Sequence, residues 1–255
     1  MKNPIIVVGL GELGSVFARG FLRLGYPVQG ITHDMDAMVI AEYIPEPEAV
    51  LVSVGEADIQ QTLANLPLQW KDRVILLQNE LLPTDWQTAE IVDPTVISVW
   101  FEKKKGMDSK VVLPSPIYGA KSKLVFDALA QVDLPSYLLD SADELTYELV
   151  RKNLYILTTN IAGLEVGGNV KSLMNDHSEI MNQVSEDVLD IQDYLTNATN
   201  NRQPLMDGLI EAIHGDLQHN CMGRSAPARL TRALSFANKA NLKVPTLRRI
   251  AEAHL

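Results

Sequence analysis

Residues 4–22 read Pro4-Ile5-Ile6-Val7-Val8-Gly9-Leu10-Gly11-Glu12-Leu13-Gly14-Ser15-Val16-Phe17-Ala18-Arg19-Gly20-Phe21-Leu22. A short apolar strand runs into G-x-G-x-x-G, and a helical pattern follows at once, which is the setting in which that motif binds a dinucleotide. Gly9 allows the tight turn, Gly11 lets backbone approach a pyrophosphate, and Gly14 lets the helix pack against the strand. The helix then turns its free N–H groups and positive dipole end toward the anion. Gly9, Leu10, Gly11, Glu12, Leu13 and Gly14 are therefore the candidate cofactor-binding turn.

The rest of the composition narrows the class. The chain has 255 residues, is 46% hydrophobic and 21% charged, and carries a net charge of −10. That acidity argues against nucleic acid or an anionic membrane as the main partner. A single cysteine, Cys221, excludes an intrachain disulfide and leaves an oxidising compartment unsupported. With one lysine before the first strand there is no signal-peptide pattern, and no run of eighteen apolar residues occurs. The expectation is a cytoplasmic protein with a small-molecule ligand; the oligomeric state stays open, with a homodimer as one option. The histidines show no metal-ligand spacing, so no metal is expected.

Alternating apolar runs and helical patterns predict βαβ units in the first half. Strands are expected at 26–31, 49–54, 74–77, 95–100 and 136–139, with helices over 57–66 and 122–131. Residues 111–118 are interrupted by Pro114 and Pro116, which predicts an edge strand or none. Lys103-Lys104-Lys105-Gly106 reads as a hairpin turn. Beyond Asp140 no strand is expected. Ser141-Ala142-Asp143-Glu144 reads as a capping box, and helices are expected from there to Gly167-Gly168, over 170–195, 205–214, 226–238 and 246–254. The reading is α/β: a Rossmann-type doubly wound parallel sheet over 1–140, then an all-helical domain over 141–255.

In open α/β sheets ligands bind beyond the carboxyl ends of the strands, so 9–14, 53–56 and 78–80 are the informative turns. Asn79 is suited to a nicotinamide ribose or a substrate oxygen. At the end of the second strand lie Thr32, His33 and Asp34. Asp34 suits a ribose hydroxyl, as in NAD enzymes; Thr32 and His33 suit a 2′-phosphate, and the residues alone leave both readings open.

The helical half adds a resemblance. Glu148-Leu149-Val150-Arg151-Lys152-Asn153-Leu154-Tyr155-Ile156-Leu157-Thr158-Thr159-Asn160 resembles the long helix of the ketopantoate reductase family, which carries a catalytic lysine and asparagines four and eight residues later. Lys152 matches the lysine and Asn160 the second asparagine. Gln78-Asn79 resembles the family's Asn-Gly turn, and Lys243-Val244-Pro245-Thr246 its C-terminal G-x-P-T-P stretch. The departures are Gly55 for a lysine after the third strand, Glu80 for the glycine after Asn79, Ile156 for the first asparagine, and Ser225 for a glutamate.

The resemblance implies an NAD(P)H-dependent reductase of a small keto acid or related carbonyl, leaning to NADP as cofactor with NAD open. Lys152 would stabilise and protonate the developing alkoxide. Asn160 would hold substrate, and Arg224 and Ser225 lie in its expected binding region, with Arg229 a further candidate for a carboxylate. Two other readings remain: an amine or imine dehydrogenase, and a nucleotide-binding or redox-sensing protein that has lost its substrate contacts.

Overall fold

The computed structural model describes residues 2–255. They form two compact units, residues 2–149 and 150–255.

The first unit begins β1 (Ile5–Val8), α1 (Glu12–Arg23), β2 (Val28–Ile31), α2 (Ala37–Tyr43), β3 (Ala49–Val52) and α3 (Ile59–Ala64). A 3₁₀ turn over Leu68–Arg73 leads to β4 (Val74–Leu76), α4 (Pro83–Thr88) and β5 (Thr95–Ile97). The hairpin β6 (Phe101–Glu102) and β7 (Lys110–Val111) follows, then β8 (Ser115–Tyr118), α5 (Ser122–Ala130) and β9 (Ser136–Leu138). The seven-stranded sheet has the order β2-β1-β3-β4-β5-β8-β9. Its first five strands are mutually parallel, as the repeated βα pattern requires.

β1 and β3 are buried along their whole length, which is why they read as unbroken apolar runs. Phe17 and Phe21 of α1 and Val125, Ala128 and Leu129 of α5 cover one face together with Ile5, Val7 and Leu51. The two helices approach closely at Gly20, where a Cβ would lie 2.4 Å from the Ala128 carbonyl oxygen.

The expectation of an edge strand or none over 111–118 is not met. β8 is neither an edge nor absent: it runs antiparallel to β5 on one side and parallel to β9 on the other. Pro116 is tolerated because its carbonyl accepts from Ser98 N at 3.1 Å, beyond the last residue of β5. The missing N–H therefore falls opposite Ser98, one residue past the end of β5. The Lys103–Gly106 turn does close a hairpin, β6 with β7.

The division between the units falls within α6 (Ala142–Val166). The capping signal is realised with a shift: Ser141 Oγ accepts from Glu144 N at 3.2 Å, while the Glu144 carboxylate takes the Asp140 N–H at 2.9 Å. Gly167 and Gly168, both at positive φ, stop the helix.

The second unit continues with α7 (Val170–Asp176), α8 (Ser178–Thr196), α9 (Arg202–Gly215), α10 (Ala226–Lys239) and α11 (Pro245–His254). The single helix expected over 170–195 is in fact two, because His177 leaves helical geometry (φ −132°, ψ 33°). Asn175-Asp176-His177-Ser178 are residues whose side chains favour caps and turns over helix interiors, and Ser172 Oγ donates to Asp176 at 2.9 Å just before the break.

The polar residues of α6 tie this unit together. Arg151 reaches Glu211 of α9 at 2.7 Å, Asn153 reaches Gln192 of α8 at 3.1 Å, and Thr158 meets Ser185 of α8 at 3.2 Å. Among the described residues no helix is long and apolar enough to cross a membrane.

Candidate functional site

The order β2-β1-β3 means that the chain leaves β1 to one side and returns on the other. A crevice opens at such a switch point, beyond the carboxyl ends of the strands. A cleft of about 1220 Å³ lies there, lined by Val8–Gly11 at the end of β1, Ile31–Met38 at the end of β2, and Ser53–Gly55 after β3, with α3 closing one side.

The three glycines of the turn differ in what the protein itself demands. Gly9 has φ +89°, a conformation that L side chains rarely adopt. A Cβ on Gly14 would lie 2.1 Å from the Gly9 carbonyl oxygen and 2.6 Å from Ser53 Oγ. Gly11 has an ordinary φ of −70° and would meet nothing within 4 Å. Its side chain is missing on the open side of the turn, where a ligand's phosphates would need the room. Gly11 is also the N-cap of α1, without any side-chain cap bond, so the helix end presents backbone to the cleft side.

Two residues that the sequence reading did not assign hold this turn. Ser53 Oγ donates to Gly9 O at 2.6 Å, and its own N–H bonds Val8 O at 2.8 Å. Gln78, buried after β4, donates to Val52 O at 2.8 Å and so braces the end of β3. In sequence each stood within an informative strand-end turn, 53–56 or 78–80, without a role of its own.

Of the cofactor-binding candidates, Gly9, Leu10, Gly11, Thr32 and His33 are brought together on the wall of the cleft. Leu10 lies over Gly30 of β2, where a Cβ would come within 2.1 Å of it. Leu13 turns toward the sheet core instead, and Gly14 is the contact beneath the turn. Glu12 stands exposed in the first turn of α1, with Lys103 Nζ 3.7 Å away. Asn79 is half-buried after β4 and outside the cleft lining. Its neighbour Glu80 has φ +61°, so the chain keeps the left-handed conformation that a glycine would adopt without cost.

Thr32 donates its hydroxyl to the Asp34 carboxylate. That bond, with a backbone bond behind it, holds the Asp34 carboxyl below its ordinary value. Asp36, on the same wall, caps α2 by accepting from Met38 N at 2.8 Å.

In the helical unit Lys152 is buried, at 7% exposure, within the run Glu148, Arg151, Lys152 and Asn153. Asn160 is equally buried and its amide is engaged on both ends. Nδ2 donates to Cys221 O at 3.3 Å, and Oδ1 accepts from Arg229 Nη1 at 2.9 Å. The segment around Cys221 comes close enough to α6 that a Cβ on Gly163 would lie 2.7 Å from Cys221 Cβ. Burial raises the Cys221 thiol to about 11, which keeps it protonated and unreactive near neutrality. Lys152 and Asn160 stand about 12 Å apart along α6 and about 80° apart around it, so they share a flank of the helix without meeting. Arg224 and Ser225 are exposed just before α10, and Arg229 is the arginine that reaches Asn160.

No protein-family model and no curated protein matches the sequence. Solved structures do match. A 2-dehydropantoate 2-reductase from Methylococcus capsulatus is similar with a TM-score of 0.69 and 11% identity, over 98% of this chain and 95% of that one. The dimeric ketopantoate reductase from Staphylococcus aureus is similar with a TM-score of 0.65 and 14% identity, over 98% of each chain. D-mandelate dehydrogenase, solved with NADH, is similar with a TM-score of 0.66 and 12% identity, over 98% and 97%. What the chain shares with these proteins, along nearly its whole length, is the fold: a mostly parallel sheet flanked by helices, followed by a helical unit.

Proposed function

We propose that this chain is a divergent ketopantoate-reductase-like oxidoreductase that uses a nicotinamide dinucleotide to reduce a small keto acid or related carbonyl. Gly11 carries this reading. The fold requires glycine at Gly9 and Gly14, but at Gly11 neither backbone angle nor any neighbouring atom does, and a pyrophosphate against the helix N-terminus accounts for it. The residues present fit the group. The Gly9–Gly14 turn would hold the pyrophosphate, and Thr32, His33 and Asp34 the adenosine ribose. When bound, the nicotinamide supplies the reducing equivalent.

Lys152 is the proton donor in this proposal. An ammonium stabilises the charge that develops on a carbonyl oxygen and can transfer a proton to it. Its burial separates it from an ordinary solvated helix lysine. Arg224 and Ser225 are the proposed substrate-side residues, with the guanidinium suited to a keto acid carboxylate. The dimer of the Staphylococcus aureus reductase extends the proposal to a homodimer, and a cytoplasmic location belongs to the same reading.

Asn160 favours a second reading. Its amide is committed to Cys221 O and Arg229, which suits a dinucleotide-binding protein without turnover. The two readings separate in one experiment: steady-state turnover of aliphatic and aromatic 2-keto acids by the wild type and by Lys152→Ala, with cofactor affinity measured alongside. The expected result is a kcat at least about 100-fold lower in the variant at unchanged cofactor Kd. Unchanged turnover in Lys152→Ala removes that residue from the chemistry. Cofactor binding without turnover of any keto acid by the wild type favours the second reading.

A further inference from the structure

Dinucleotides of the two kinds differ only at the adenosine 2′ position, which meets the end of the second strand in this sheet topology. That end is Thr32, His33, Asp34, Met35 and Asp36, all lining the cleft. Among the described residues the lining contains no lysine and no arginine. It carries three carboxylates, Asp34, Asp36 and Asp58, against one imidazole, His33.

Asp36 already spends Oδ1 on the N-terminus of α2. Asp34 accepts one bond from the Thr32 hydroxyl, and a carboxylate has lone pairs for several donors. A ribose hydroxyl supplies such a donor. A 2′-phosphate supplies none when ionised, and adds negative charge beside groups of the same sign.

Resting on the dinucleotide reading above, we propose that this cleft takes NADH and rejects NADPH, with the Asp34 carboxylate receiving the adenosine 2′-hydroxyl. Thr32 is a positioning residue, since its hydroxyl donates to the carboxylate and aims it. The cofactor choice is set by the wall after β2 and is independent of the glycine turn, which handles the pyrophosphate common to both molecules.

The test is calorimetric titration of the full chain with NADH and with NADPH, at near-physiological ionic strength so that the distant negative charges of the protein are screened. The expected result is NADPH binding at least about tenfold weaker than NADH. NADPH binding equal to or tighter than NADH overturns the inference and leaves the dinucleotide reading standing. Binding of neither overturns both. Asp34→Asn, at an exposed loop position, sharpens the assignment. NADH should weaken and NADPH strengthen, narrowing their ratio by about fivefold or more. An unchanged ratio in a variant with wild-type thermal unfolding removes Asp34 as the discriminating group.

Discussion

The N-termini of α1 and α11 face one requirement and meet it in opposite ways. A helix start leaves backbone N–H groups without intrahelical partners. At α11 the N-cap is Val244, which has no side-chain acceptor and sits at φ +39°. The donors are satisfied from another helix: Asp187 Oδ2 of α8 accepts from Thr246 N at 2.7 Å and Leu247 N at 3.0 Å. At α1 the N-cap is Gly11, no side chain caps it, and its missing Cβ leaves open space. One end has been filled by the protein's own carboxylate. The other starts without a side-chain cap and, on the dinucleotide reading proposed above, would take the anion of a ligand.

The sharpest way to break this contrast is to add one carbon at two glycines. Gly14→Ala drives a Cβ into the Gly9 carbonyl and should cost about 3 kcal/mol or more by denaturant unfolding. Gly11→Ala meets no protein atom, so stability should stay within about 0.5 kcal/mol while dinucleotide affinity falls. A Gly11→Ala protein that binds cofactor as well as the wild type would mean that the open end of α1 is not an anion site.

The filled end makes the next prediction. Asp187→Ala should lose about 2 kcal/mol of stability, and Asp187→Asn, which keeps one acceptor, about half of that. Burial raises the Asp187 carboxyl above its ordinary value of 3.8, against its two backbone bonds. A raised pKa means that the folded state binds the proton more tightly. The associated stability is complete below 3.8 and lost as pH rises through the raised value. The wild type should therefore gain on Asp187→Asn as pH falls from about 7 toward about 4. A difference independent of pH would show that Asp187 does not titrate differently in the folded state.

The smallest effect is expected at Glu80. A non-glycine residue at φ +61° carries about 1 kcal/mol of strain, and the relief of that strain by glycine is partly offset by the extra chain entropy glycine loses on folding. Glu80→Gly should raise stability by about 0.5 kcal/mol. A loss instead would show that the contacts of the Glu80 side chain outweigh its backbone strain.

The difference between the two helix ends also divides what was legible. The α1 turn could be read because its strand, turn and helix are contiguous: the needs of Gly9 and Gly14 are steric and local. The Asp187 cap could not, because residues 187 and 246 meet only after α8 and α11 pack. The break at His177 was missed because a helical apolar period runs across it, and the cap-forming residues there act only over one turn. β8 was misjudged because a proline's effect on a sheet depends on where the neighbouring strand ends.

Local chain chemistry alone thus determined the βα pattern, the glycine turn, the passage to helices after the sheet and the start of α6. These depend on side-chain period, on backbone angles that only glycine tolerates, and on caps within a few residues. Tertiary structure decided which side chains are committed. It joined Asn160 to Arg229 and Cys221 O, buried Lys152, and braced the turn with Ser53 and Gln78. It also set Asp34, Asp36 and Asp58 around a cleft with no lysine or arginine among its described lining residues. Hydrogen bonds and like-charge groupings between residues far apart in sequence have no signature in any local window, because the chain brings them together only when it packs.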